Sequence, residues 1–197
     1  MSAEPTLGAA LRPVVEALET LGVRYLVGGS VASSALGMPR STLDVDLVTD
    51  LGAAQVAGLV AALEADYHIE EGSVRDAISR RASFNLIHLA TMLKVDVFIA
   101  GATPFDKVSF SRSVTRTLTD EPGARQYRLR SPEDVILRKL ERYRLGGEVS
   151  DRQWGDAVGV LQIQAGALDD AYLDLWAGQL GVADLLGRAR QDAGDTG

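Results

Sequence analysis

The sequence predicts an α+β protein that ends in a helical bundle, and three observations support this fold class. Strand-like and helix-like runs alternate up to about residue 130. Isolated aspartates interrupt two of the strand-like runs. From Ser131 onward, apolar residues recur at three- and four-residue spacing without any strand pattern. We therefore predict a sheet-containing domain over residues 1–130 and a helical domain over residues 131–197.

The first elements are a helix, a short strand and a second helix. The stretch "PTLGAALRPVVEALETLG" has the apolar spacing of an amphipathic helix and ends at Gly22. "RYLVGG" is aromatic and β-branched, which favours a strand. The small residues of "SVASSALG" predict a short helix that ends at Gly37.

Further strands and helices follow. The stretch "STLDVDLVTD" has the alternating pattern of a strand. Leu43, Val45 and Leu47 share one face of this strand, and Asp44 and Asp46 share the other. "LGAAQVAGLVAALEAD" predicts a helix, and we interpret residues 67–82 as turn-prone. "SFNLIHLA" and "LKVDVFIA" then predict a hairpin that turns near Thr91 and Met92.

The helical part begins with "SPEDVILRKLERYRLGG". Ser131 has the position of an N-cap, and Pro132 that of the first helical residue. The remaining sequence to residue 190 predicts three or four packed helices.

Composition restricts the function classes. Apolar residues make up 46% and charged residues 24% of the 197 residues, the balance of a soluble globular protein. Cys is absent and only two His are present, which argues against a disulfide framework and a zinc site. No apolar run has the length or flanks of a membrane span or secretory leader. We therefore expect a cytoplasmic protein without a membrane partner.

The net charge of −7 is distributed unevenly along the chain. Residues 106–144 hold 10 basic and 6 acidic residues, whereas both flanking segments are acidic. A basic zone in an acidic protein favours contact with a polyanion. The alternative is a solvated face whose bases pair with neighbouring acids.

Three aspartates form the candidate catalytic and metal-binding set. Asp44 and Asp46 are two positions apart in a strand, so both carboxylates project to the same side. Like charges this close share a proton or bind cations, and Mg²⁺ prefers oxygen ligands. Asp96 interrupts another strand, where an isolated Asp is unfavourable. Together the three carboxylates are suited to a pair of metal ions.

The Gly28-Gly29-Ser30 step is the candidate phosphate site. Two glycines permit a sharp turn after a strand, and a helix that starts at Ser30 directs free N–H groups towards an anion. Taken alone, the same step also fits an ordinary strand-to-helix corner with Ser30 as N-cap.

"YLVGGS", "LDVDLV" and "KVDVFI" together resemble the nucleotidyltransferase superfamily that includes DNA polymerase β. "GMPRSTLDVDLV" and the segment from "SPEDVILRKL" to "DAVGVL" resemble the abortive-infection type nucleotidyltransferases, which are toxins of toxin-antitoxin pairs. The resemblance implies the minimal nucleotidyltransferase fold, a mixed β-sheet flanked by helices.

The resemblance also implies roles for individual residues. Gly28, Gly29 and Ser30 would hold the nucleotide phosphates, and Asp44, Asp46 and Asp96 would bind two Mg²⁺ ions, with Asp96 also activating the acceptor. Two residues match later motifs of the toxin-like group: Lys139, expected to contact phosphate or base from an exposed helix face, and Asp156, expected to orient Lys139. Arg40 and Lys94 are added for their positions beside the acids, since Lys94 shares a strand face with Asp96.

These residues predict a Mg²⁺-dependent enzyme that transfers a nucleotidyl group from an NTP to a hydroxyl. The acceptor would be RNA such as tRNA, a protein or a small molecule, and an antitoxin protein would be a further partner. The alternative is a catalytically silent nucleotide-binding or interaction protein on the same fold.

Overall fold

The computed structural model describes residues 5–42, 44–119, 121 and 123–194. In this part of the chain, the first ten elements are α1 (Pro5–Thr20), β1 (Tyr25–Val27), α2 (Gly29–Leu36), β2 (Asp44–Thr49), a 3₁₀ turn (Ala53–Gln55), α3 (Val56–Leu63), β3 (Tyr67–His68), α4 (Glu71–Arg80), β4 (Ser83–His88) and β5 (Lys94–Ile99). The remaining elements are α5 (Pro104–Ser111), β6 (Val114–Thr117), β7 (Gln126–Leu129), α6 (Pro132–Leu145), α7 (Asp151–Ile163), α8 (Asp170–Gln179) and α9 (Ala183–Gly194). The predicted fold class is confirmed.

The chain divides into two compact units. The first unit holds the residues up to Val31 and Ser41–Ser111, and the second holds Ala32–Arg40 and the residues from Arg112 onward. The boundaries of these units differ from those of the predicted domains. The predicted domain boundary at residue 130 stays a prediction.

The first unit is built on five strands in the order β3-β4-β5-β2-β1. β2 and β5 are parallel, and the other pairs are antiparallel, so the sheet is mixed. The covered face of β2 and β5 presents Val45, Leu47, Val95 and Val97, all buried. Further buried apolar residues come from α1 and α3, namely Leu11, Val14, Val15, Leu18, Val56, Leu59 and Leu63. The opposite face of the two strands therefore remains for polar side chains.

The second unit contains the antiparallel pair β6-β7 and the helices α6 to α9. Ser131 caps α6 as predicted, because its side chain accepts a hydrogen bond from the N–H of Asp134 at 3.2 Å. The three helices after α6 agree with the predicted three or four. No helix in the described ranges combines the length and apolarity needed to cross a bilayer.

The interpretation of residues 67–82 as turn-prone is wrong, because this segment contains β3 and α4. α4 buries only Val74 and Ala77, so its apolar stripe is too narrow to stand out in the sequence. Ion pairs of Arg75 with Glu71 and of Arg80 with Asp76, each four residues apart, support its exposed face. Leu43, predicted to share a face with Val45, lies outside the described residues.

Candidate functional site

The turn between β1 and α2 brings the backbone of the Gly-Gly-Ser step against Asp46. The N–H of Gly28 donates to the carbonyl of Asp46 at 2.8 Å. Gly29 has φ +56°, and a Cβ at this position would overlap the carboxylate of Asp46. The Asp46 carboxylate therefore lies directly over residue 29, in the first turn of α2. Only glycine satisfies both the left-handed backbone and the close approach.

The three candidate carboxylates lie on the parallel strands β2 and β5. Asp46 is paired in register with Asp96, and Asp44 is paired with Lys94. Residues paired across neighbouring strands project to the same face. Along β2, exposed or half-buried positions alternate with buried ones, so Asp44 and Asp46 share the open face as predicted. The sheet itself thus places the three acids side by side.

Lys94 contributes a positive charge to this group of acids. Its Nζ lies 2.9 Å from Oδ2 of Asp96, whose side chain is 16% exposed. The hydrogen bond to Asp96 raises the pKa of Lys94 above its ordinary 10.5; desolvation opposes the rise, and the charges of Asp96, Asp44 and Asp46 add to it. The ammonium therefore stays protonated beside the acids.

The donor set on the open face fits a hard divalent cation. Its ligands are carboxylate oxygens, which Mg²⁺ prefers. The Lys94 ammonium is itself a cation held beside the acids. Within the described ranges, no three His, Asp or Glu side chains converge as placed on one metal position. Asp46 is directed over Gly29 and Asp96 bonds Lys94, so these carboxylates would have to turn to share an ion.

Asn85 is a further polar residue of the open face, which the sequence analysis did not single out. It lies in β4, is paired in register with Asp96 and is exposed. It therefore extends the row of polar residues on the open face by one strand. The alternation of buried Phe84 and Leu86 with exposed Ser83 and Asn85 was the available signal.

The other candidates, Arg40, Lys139 and Asp156, form a cluster within the second unit. Arg40 donates two hydrogen bonds to Asp156, from Nε to Oδ1 at 2.8 Å and from Nη2 to Oδ2 at 3.0 Å. Lys139 Nζ donates to Oδ2 of Asp156 at 2.6 Å. The side chains of Lys139 and Asp156 are 7% and 6% exposed. Two cations thus converge on one buried carboxylate.

Electrostatics decide the charge of Asp156 in this cluster. Burial raises the pKa of its carboxyl, but hydrogen bonds and charges from Arg40 and Lys139 outweigh burial and hold the pKa below the ordinary 3.8. The pKa of Arg40 is raised in turn, chiefly by its hydrogen bond to Asp156. The carboxylate is therefore ionised at neutral pH.

The expected exposure of Lys139 is wrong. The whole residue Lys139 is only 5% exposed, because the face of α6 that carries it is covered. Its ammonium donates a hydrogen bond to Asp156. The side chain of Asp156 is likewise buried. The contact between the two residues is the one needed for Asp156 to orient Lys139, while their roles towards a nucleotide stay predictions.

The segment before β2 is docked on one face of α7. A Cβ on Gly37 would lie 2.8 Å from the backbone N of Val160, so the two backbones nearly touch. Gln164 donates to the carbonyl of Leu36 at 2.8 Å. With the Arg40 contact to Asp156, residues 156 and 160 of α7 and Gln164 directly after it hold the segment from 36 to 40.

Comparisons with known proteins reveal similarity at the level of the fold. No protein-family model matches the chain, and no curated protein sequence matches it. The crystal structure of ANT(2'')-Ia in complex with adenylyl-2''-tobramycin is similar with a TM-score of 0.59 and 14% identity, over 89% of this chain and 97% of that chain. The solution structure of the antibiotic-resistance factor ANT(2'')-Ia gives a TM-score of 0.53 and 16% identity, over 97% and 96% of the two chains.

A candidate nucleotidyltransferase from Thermotoga maritima is similar with a TM-score of 0.50 and 15% identity, over 79% of this chain and 96% of that chain. The solution structure of ANT(2'')-Ia, which covers 97% of this chain, includes both its sheet-bearing and its helical parts. The chain therefore has the nucleotidyltransferase fold.

Proposed function

We propose that this protein transfers a nucleotidyl group from an NTP to a hydroxyl acceptor. One observation carries the proposal: the register of β2 and β5 places Asp44, Asp46 and Asp96 together on the open face, with Asp46 lying over the Gly28-Gly29 turn. A structural domain has no need for three acids in this position, because grouped carboxylates repel one another.

The proposed roles follow from the positions of the groups. The N–H of Gly29 and the hydroxyl of Ser30, at the start of α2, bind the triphosphate. Gly28 shapes the turn, because its own N–H donates to the carbonyl of Asp46. Asp44, Asp46 and Asp96 would hold two Mg²⁺ ions, which when bound would polarise the α-phosphate and neutralise the leaving pyrophosphate. The expected roles of Arg40, Lys139 and Asp156 towards a nucleotide stay predictions.

The reaction is a substitution at phosphorus. The acceptor oxygen forms a bond to the α-phosphorus while the bond from that phosphorus to the bridging oxygen of the β-phosphate breaks. Asp96 takes the proton of the acceptor hydroxyl, and pyrophosphate leaves. Lys94 contacts Oδ2 of Asp96, so the proton is assigned to the other carboxylate oxygen, Oδ1.

Two classes of acceptor have support. A small-molecule hydroxyl is supported by the similarity to ANT(2'')-Ia, whose crystal structure contains adenylyl-2''-tobramycin. RNA, and with it a toxin role with an antitoxin partner, is supported by the resemblance to abortive-infection nucleotidyltransferases and by the basic composition of residues 106–144. A catalytically silent nucleotide-binding protein is the alternative.

The test is labelling with each of the four α-³²P NTPs in the presence of Mg²⁺. Total RNA, the protein alone and tobramycin serve as separate acceptors. We expect transfer to one acceptor class, with an at least about 100-fold loss in Asp44→Asn and Asp46→Asn because each removes a metal ligand. Asp76→Asn, an exposed acid of α4 paired with Arg80, is the matched control. NTP binding without any labelled product or released pyrophosphate would favour the silent alternative.

A further inference from the structure

The register of the strands, and not the packing of its own side chain, positions Lys94 among the acids. It opens β5 and pairs in register with Asp44, while Asp96, two residues later, pairs with Asp46. All four side chains therefore share the open face. The Lys94 side chain is 42% exposed, so water reaches almost half of it. Its position is fixed by charge, chiefly by the 2.9 Å contact to Asp96.

An ammonium and a divalent cation compete for the same oxygens. The lysine head is a compact point charge with three donors on a flexible stem. With Lys94 present, the group carries a formal charge of −2 instead of the −3 of three bare carboxylates. A cation that ligates Asp96 Oδ2 competes with Lys94 Nζ for the negative charge of that oxygen, and the two positive charges repel each other.

We propose that Lys94 is the resident counter-ion of the three carboxylates and lowers their affinity for divalent metal until a nucleotide arrives. The inference rests on the proposed function, since it takes these acids as the metal site. The displaced ammonium needs a new anion, and the triphosphate of an NTP supplies one. Metal and nucleotide would then strengthen each other's binding, and by linkage the effect is reciprocal.

The proposal predicts a paired change in Lys94→Met, which removes the charge and keeps the stem. The variant should bind Mn²⁺ alone at least fivefold more tightly than the wild type. A non-hydrolysable NTP analogue should tighten Mn²⁺ binding strongly in the wild type and several-fold less in the variant. Free Mn²⁺ followed by electron paramagnetic resonance gives both affinities without any turnover.

Three further variants make the test decisive. Lys107→Met removes one positive charge from an exposed site in α5 of the same unit and should leave Mn²⁺ affinity within twofold of the wild type. Asp44→Asn should weaken Mn²⁺ binding at least tenfold. Lys94→Gln repeats the test with a different neutral side chain, should Lys94→Met fail to fold by circular dichroism.

The outcomes separate the two proposals. Wild-type Mn²⁺ affinity in Asp44→Asn would overturn the metal site and with it the proposed function. Weakened binding in Asp44→Asn, together with unchanged or weaker binding in Lys94→Met and Lys94→Gln, would overturn the role of Lys94 alone. An equal gain in Lys107→Met would show that only the overall charge of the protein matters, and it would also overturn that role.

Discussion

Gly29 couples the backbone of the turn to the position of a candidate metal ligand. Its φ of +56° places it in the left-handed region, and the Asp46 carboxylate occupies the space that a side chain would need. We therefore predict that Gly29→Ala is destabilised by about 1–2 kcal/mol through its backbone and also loses transfer because Asp46 is displaced. Urea unfolding and labelling assays measure the two effects.

Gly22→Ala is the matched control for this prediction. Gly22 has φ +68°, and no atom lies within 4 Å of where its Cβ would be. The control should show a similar loss of stability with wild-type activity per folded molecule. Equal activity in both alanine variants would contradict the proposed contact between residue 29 and Asp46.

Asp156 makes stability depend on pH. Its folded pKa lies below 3.8, so between the folded and unfolded pKa values the unfolded chain binds more protons. The stabilisation is complete above the unfolded value and is lost as the pH falls through the folded one. At pH 7 we predict that Asp156→Asn lowers the free energy of unfolding by about 1–3 kcal/mol.

Below about pH 4 the difference between the two proteins should begin to shrink, because the unfolded wild-type chain then binds a proton at Asp156. It should vanish only after the folded carboxyl, with its lowered pKa, is also protonated and resembles the amide. Chemical unfolding between pH 7 and pH 3 measures this convergence. A difference that stays constant over the whole range would mean that the charge of Asp156 does not stabilise the fold.

At the scale of elements, two glycines form a matched pair: Gly37, which contacts α7 from the segment docked on it, and Gly155, which lies within α7. Gly37→Ala would push a Cβ to within 2.8 Å of the Val160 backbone, whereas nothing lies within 4 Å of a Cβ on Gly155. We predict that Gly37→Ala costs about 1–3 kcal/mol, as overpacking does. Gly155→Ala should instead stabilise α7 by up to about 1 kcal/mol. Urea unfolding of both variants checks the opposite signs.

The elements show which parts of the fold the sequence can predict. The strands that carry the acids and the capped start of α6 follow from alternation and from one serine, which are local patterns. α4 was missed because only Val74 and Ala77 of its face are buried. β6 was missed because its residues are mostly exposed and contain no apolar alternation.

The candidate site divides in the same way. Asp44 and Asp46 are predictable because strand geometry fixes two residues of one strand relative to each other. The ion pair of Arg40 with Asp156 joins residues 116 positions apart, and no local pattern indicates it. The burial of Lys139 was likewise unpredictable, since the partner that makes it tolerable lies 17 residues later.

At the scale of the whole molecule, the basic zone is less uniform than its composition suggests. Of the arginines of β7 and its flanks, Arg128 is exposed, Arg125 lies beside the Tyr127 ring at 5.7 Å, and Arg130 is buried. An RNA acceptor would therefore meet fewer charges here than the sequence count implies.

The docking of residues 36–40 on α7 has a consequence for synthesis on the ribosome. The acceptor carbonyl of Leu36 precedes its donor Gln164 by 128 residues, and all the intervening chain must be translated first. At roughly 5–20 residues per second, this takes on the order of 6–26 s. During that interval the segment lacks its native contacts on α7, including the buried carboxylate that pairs with Arg40. The nascent chain thus carries an apolar and cationic stretch that still lacks its partners on α7, the kind of exposed surface that chaperones bind.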